Sequence, residues 1–179
     1  MKIALVIGHN GKRQGAYGSK GISEWQFNSV LIEEILNQVN TKACIKVFKR
    51  SAALSGYTKE MIALHKELDE WGSDITISFH FNAALNENVN GNEVLYMSTG
   101  GKRVAEIFNV KFSEYLPNNK RGVKRLYTGD RGYGFVGRGQ SKCVILEPFF
   151  ASHQHQYVEG GIYRDRLVDA IVEAIEELV

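Results

Sequence analysis

The chain has 179 residues, 44% of them apolar, only two prolines and a formal net charge of +2. That is the size of one domain, here residues 1–179, able to bury roughly two thirds of its unfolded surface. The composition excludes a disordered tail and any run of ~20 apolar residues that would cross a bilayer, and so small a charge carries no functional argument. Cys44 and Cys143 are the only cysteines, each in an apolar run. They read as two reduced core thiols rather than a disulfide framework or a Cys-rich metal site.

Residues 3–7 form a short continuous apolar run ending at Gly8, the pattern of a strand buried on both faces. Ser23 and Gln26 then make a capping-box signature for a helix reaching about Asn40, with Phe27, Leu31 and Ile35 on one face. A second strand is expected at 44–48. The stripe Tyr57, Met61, Leu64, Leu68, Trp71 predicts the next helix, with His65 beside it read as surface. Strands at 75–79 and 93–97 precede a third helical stripe, Val104, Phe108, Phe112 and Tyr115. Residues 120–142, rich in glycine and arginine, read as a long functional surface loop, or a loop containing a short strand. A strand at 143–146 and a helix through Leu167, Ile171, Ala174 and Leu178 close the chain.

Strands alternating with helices of this length define an α/β domain with a largely parallel sheet, whose functional residues gather at the carboxyl ends of the strands. His9, His80 and Glu147 follow the first, third and last of the strands. Two histidines on rigid strand ends suit a zinc site, which needs a third protein ligand and leaves a position open. Glu24, in the first turn of the first helix, is the candidate. Singly, each residue has an ordinary explanation, a hydrogen-bonded histidine or a Glu favoured by the helix dipole; together they form a two-His, one-carboxylate set. Glu147 ends an apolar run and precedes Pro148, Phe149 and Phe150. Such company raises a carboxyl pKa towards the range of a general base. The alternative is an ion pair with an arginine of the preceding loop.

These residues resemble the N-acetylmuramoyl-L-alanine amidase 3 family, the zinc amidases of autolysins and phage endolysins. The resemblance runs through Gly8-His9, Gly15-Ala16, 18–24, Ser78-Phe79-His80-Phe81-Asn82-Ala83, Gly91-Asn92-Glu93-Val94 with Tyr96, and 144–150. It implies a twisted, mostly parallel six-stranded sheet flanked by helices. One zinc ion is implied, held by His9, Glu24 and His80, with Glu147 as the catalytic acid/base. The implied reaction is hydrolysis of the amide between N-acetylmuramic acid and L-alanine of peptidoglycan, causing cell-wall lysis. Two departures bear on substrate preference: Asn10-Gly11-Lys12-Arg13 replaces a further glycine and an acidic residue, and Ser152-His153 replaces Ser-Asn. Asn82, Arg121, Arg125, Arg131 and Arg138 are candidate substrate contacts. The arginines, with Lys124 and Lys142, suit stem-peptide carboxylates but also read as solvated surface charge. His153 and His155 read as substrate contacts or ordinary loop residues.

Three other readings compete. The run 131–136 matches the first six positions of an RNA-binding RNP1 motif, but Arg138 stands where an aromatic is required and the order of elements does not fit, so no nucleic-acid partner is expected. A zinc peptidase would share the metal chemistry, and a degenerate wall-binding member would lack the intact four residues. Lys2 and residues 3–7 are too short for a signal-peptide core. The expectation is synthesis in the cytoplasm, no membrane insertion, a monomer, and action on the wall after release through a pore made by another protein, as for a phage endolysin.

Overall fold

The structure, a computed structural model, describes residues 1–18, 20–86, 88–117, 120–152 and 162–179. His153 and His155 lie outside them. Six strands form a single sheet in the order β2-β1-β3-β6-β4-β5. They are β1 (Lys2–Ile7), β2 (Cys44–Lys49), β3 (Ile75–Phe79), β4 (Asn92–Tyr96), β5 (Lys120–Arg125) and β6 (Lys142–Glu147). All neighbours are parallel except β4 and β6, which run antiparallel with Glu93 opposite Glu147. Helices α1 (Glu24–Gln38), α3 (Thr99–Tyr115) and α5 (Ile162–Glu177) cover one face, and α2 (Tyr57–Trp71) with the short α4 (Tyr133–Val136) covers the other. This is the single α/β domain with a mostly parallel six-stranded sheet that the sequence implies.

The strand alternation explains the continuous apolar runs. Ile3, Leu5 and Ile7 of β1 enter the core beneath α1, α3 and α5, while Ala4 and Val6 enter the one beneath α2 and α4. With helices on both faces, neither set has a solvent side. Ser23 caps α1 as expected: its side chain accepts from Gln26 N at 3.2 Å, and Gln26 Oε1 accepts from Ser23 N at 3.0 Å. That cap sets the first helical residue at Glu24 and turns it inward, where it is only 2% exposed.

Residues 120–142 contain the short strand allowed for in the sequence, edge strand β5, and also the short helix α4. The discounted RNP1-like run displays no aromatics on a strand: Tyr133–Val136 is helical and Phe135 is buried. Two expectations need correction. Cys44 is exposed, because β2 is an edge strand whose alternate side chains face solvent, whereas Cys143 is buried. His65 is buried at 4% exposure, one turn beyond Met61 on the inner face of α2, with its ring 5.4 Å from that of Phe135. Among the described residues no helix is long and apolar enough to cross a membrane.

Candidate active site

Because β1, β3 and β6 are parallel neighbours, their carboxyl ends meet at one edge of the sheet and deliver His9, His80 and Glu147 there. Glu24 arrives from the start of α1, strapped to the loop after β1 by bonds from Glu24 N to Ala16 O (2.8 Å) and Trp25 N to Gln14 O (3.0 Å). Glu24 Oε2 lies 3.0 Å from His9 Nε2, and Glu24 Oε1 lies 2.7 Å from His80 Nδ1. One ligand atom from each of the three residues lies within 4.8 Å of the others. His9 holds the left-handed backbone conformation, φ 64°, which non-glycine residues adopt at a cost and which recurs at functional sites.

Two glycines admit this geometry. A Cβ on Gly8 would sit 2.1 Å from Phe79 O and 2.8 Å from the His80 ring; one on Gly15 would sit 2.5 Å from Glu24 Oε2 and 2.7 Å from the His9 ring. Behind Glu24, the rings of Phe27, Phe81 and Phe149 pack with centroids 5.2–5.8 Å apart and form an apolar wall. Burial opposes ionisation of Glu24, but the hydrogen bond with His80 and the close approach of the His9 ring outweigh it and hold its carboxyl well below the usual carboxylate range. Backbone N–H groups of Ala16 and Phe81 also donate to it. His80 is made less basic by burial, against the pull of Glu24, and its Nε2 meets Ser78 Oγ at 3.1 Å.

Glu147 differs. Its Oε2 is buried with no hydrogen-bond partner among the described residues. Burial first, and then the negative charges of Glu24 and Glu93, raise its pKa well above the ordinary value, with Arg131 only partly opposing them. The ion pair considered in the sequence forms instead on Glu93. That residue accepts from Arg121 Nε at 2.6 Å, from Lys124 Nζ, and from Asn82 Nδ2 at 3.0 Å, and these bonds hold its pKa low despite burial. Two carboxylates facing each other across β4 and β6 are thus treated oppositely, one fully partnered and one left bare.

A cavity of about 680 Å³ opens onto this edge, lined by His9, His80, Glu147, Asn82, Glu93 and Arg131 and walled on its apolar side by Tyr57, Met61, Leu95, Leu126, Phe135 and Ile145. Of the candidate substrate contacts, Asn82 and Arg131 line it. Arg121 is committed to Glu93 and stacks over Phe150, Arg125 stacks over Tyr127, and Arg138 is exposed away from the lining.

Sequence reasoning passed over Glu60. Only 1% exposed on α2, it accepts from Arg13 Nη2 at 2.5 Å, Arg50 Nη2 at 3.0 Å and Asn10 Nδ2 at 3.1 Å. Asn10 and Arg13 also bond to each other through their backbones, closing the loop immediately after His9. The unusual run 10–13 is therefore a clamp that fixes the loop bearing His9. Its signal was an acid and two arginines within reach of Gly-His, far apart in sequence.

Fold and cleft together define an α/β domain in which the His9, Glu24 and His80 cluster and a bare carboxylate meet at one cavity. A model of the N-acetylmuramoyl-L-alanine amidase family matches residues 3–177, and the chain belongs to that family. Among solved structures it is similar to the catalytic domain of CwlV, an N-acetylmuramoyl-L-alanine amidase from Bacillus (Paenibacillus) polymyxa var. colistinus. The two are 22% identical over 99% of this chain and 98% of that one, with a TM-score of 0.79. The amidase AmiC2 of Nostoc punctiforme is 18% identical over 99% and 96%, with a TM-score of 0.81. The catalytic domain of an endolysin targeting Clostridia difficile is 24% identical over 98% and 96%, with a TM-score of 0.78. At these identities the likeness establishes the fold, while family membership supports peptidoglycan amidase activity. No curated protein sequence matches the chain.

Proposed function

We propose that the chain is a zinc-dependent N-acetylmuramoyl-L-alanine amidase that breaks down the bacterial cell wall, with His9, Glu24 and His80 holding one zinc ion and Glu147 as acid/base. The observation that carries this reading is the convergence of two imidazole nitrogens and an ionised carboxylate within 4.8 Å, the two histidines lining the cavity that Glu147, with its partnerless Oε2, also lines. The donor set fits the ion. His9 Nε2 is buried 3.0 Å from Glu24 Oε2 yet makes no hydrogen bond, so two lone-pair atoms face a common point. Two His and one carboxylate are a customary zinc set.

Zinc in this place supplies Lewis-acid polarisation of a carbonyl and acidification of water. The protein's own residues do the rest. With the ion bound, Ser78 Oγ, 3.1 Å from His80 Nε2, would accept its proton and leave the Nδ1 lone pair on the Glu24 side. Glu147 Oε2 takes the proton of the attacking water and returns it to the departing L-alanine nitrogen, a role worth roughly 10²- to 10⁴-fold in rate. Its raised pKa makes it a stronger base than an ordinary carboxylate. The Glu93 carboxylate, saturated by Arg121, Lys124 and Asn82, stays ionised and holds those cations away from Glu147.

The test is a pair of variants analysed for bound zinc and for cleavage of purified sacculi. Glu147→Ala is expected to retain one zinc per chain and lose turnover, and His80→Ala to lose zinc itself. A Glu147→Ala protein with full lytic activity would remove Glu147 from the mechanism. A lytic role, like that named for the endolysin among the similar structures, belongs to the same proposal.

A further inference from the structure

The cavity that holds the catalytic cluster carries three cations, Arg50, Lys124 and Arg131. Two are spent inside the protein, Arg50 on Glu60 and Lys124 on Glu93. Arg131 makes no hydrogen bond or ion pair among the described residues, although its charge is felt by Glu147 and Tyr57 on the same cavity wall. Asp130, its neighbour in the chain, directs Oδ2 to Tyr127 N at 2.7 Å. The backbone beneath Arg131 is held in a fixed turn. Tyr133 N bonds to Asp130 O at 3.1 Å, and Gly132, at φ 91°, sits so close to the sheet that a Cβ there would lie 2.9 Å from Ile145 Cδ1. Arg131 is an exposed residue that lines the cavity from a fixed turn, and its guanidinium, with the fork unused, can take a carboxylate in two parallel hydrogen bonds.

We propose that Arg131 is a specificity-determining residue that pairs with a free carboxylate of the substrate's peptide, so that the chain prefers acidic stem peptides to those whose carboxylate is amidated. This rests on the amidase reading and names the substrate chemistry that the same site selects. Arg121, Arg125 and Arg138 leave the task to it, the first two stacked on aromatic rings and the third outside the cavity lining.

The experiment uses two synthetic muropeptides that differ only in a carboxylate or a carboxamide on the residue after L-alanine. For the zinc-loaded full chain, kcat/KM is expected to be roughly 10- to 100-fold higher on the carboxylate form, the span of a hydrogen-bonded charged partner gained or lost. Arg131→Ala is expected to cleave both forms at about the same rate, and Arg131→Lys to keep part of the preference as a point charge. Any influence of Arg131 on Glu147 acts equally on both substrates and cancels in the ratio. A wild-type ratio near unity, a preference for the carboxamide, or an undiminished preference in Arg131→Ala overturns the proposal. Cleavage of neither muropeptide and of no sacculus by the wild type would instead remove the amidase reading beneath it.

Discussion

Gly15 stands against both halves of the proposed zinc set, and its replacement by alanine gives two separable costs. The first is conformational: at φ 80° an L side chain pays about 1–2 kcal/mol for the left-handed region. In a domain of this size each kcal/mol lowers Tm by about 2–4 °C. The second is local. The new Cβ would lie 2.5 Å from Glu24 Oε2, against an ordinary contact of 3.4 Å, so the carboxylate must retreat by roughly 0.9 Å from a position fixed by the start of α1. Ligand distances at a metal tolerate only about 0.2 Å, so zinc affinity is expected to fall at least 10- to 100-fold, roughly the loss that follows disturbance of a ligand's supports. Gly21→Ala is the control. It shares the conformational cost at φ 76°, but a Cβ there meets nothing within 4 Å. Zinc competition titrations and thermal melts of both variants should show similar Tm losses and a zinc defect in Gly15→Ala alone. Equal zinc affinity in the two would refute the claim that Glu24 is a ligand held in place by this contact.

Three further outcomes are expected. In zinc-free protein, Glu147 binds its proton more tightly folded than unfolded, so its contribution favours folding at low pH and is lost as pH rises from the ordinary carboxylate range towards the raised native value. Glu147→Gln should therefore gain stability over wild type in chemical denaturation at pH 8 and little at pH 4; an equal gain at both would contradict the raised pKa. Glu60→Ala strands Arg50, which is only 10% exposed, and should cost about 3–5 kcal/mol, the penalty for breaking a buried pair; a loss below about 1 kcal/mol by urea titration would show that the clamp is loose. Cys143 is buried with its thiol pushed up to about 11, whereas Cys44 is exposed. A thiol reagent at pH 8 should label only Cys44 in the native chain and both thiols after unfolding, and rapid native labelling of Cys143 would contradict its burial.

Much of this architecture was legible because local and tertiary preferences agree. The runs at β1, β3 and β6 are apolar throughout since helices cover both faces, and Ser23 with Gln26 marks the start of α1 to the residue. Knowing that helix start is what drew attention to Glu24. Strand direction was not legible: Glu93 sits at the amino end of β4, and only the antiparallel pairing with β6 carries it to the same edge as Glu147. A search confined to carboxyl ends of strands passes over such a residue. The basic composition of residues 120–125 allowed a short strand without placing it, because an edge strand needs no apolar run and long charged side chains suit its exposed flank. His65 lies four residues beyond Met61 and so shares its buried face; the helical period was informative there and the polarity of histidine misleading. Which arginines meet internal acids is a tertiary fact, and it separates Arg121 from Arg131 where composition treats them alike.

The central claim is tested most directly by mass spectrometry of the ends created when purified sacculi are digested with the zinc-loaded chain. Free lactyl groups on the glycan paired with L-alanine amino termini on the released peptides are expected, abolished by a chelator and restored by added zinc. Other cleavage ends, or amidase products that persist undiminished under chelation, would contradict it.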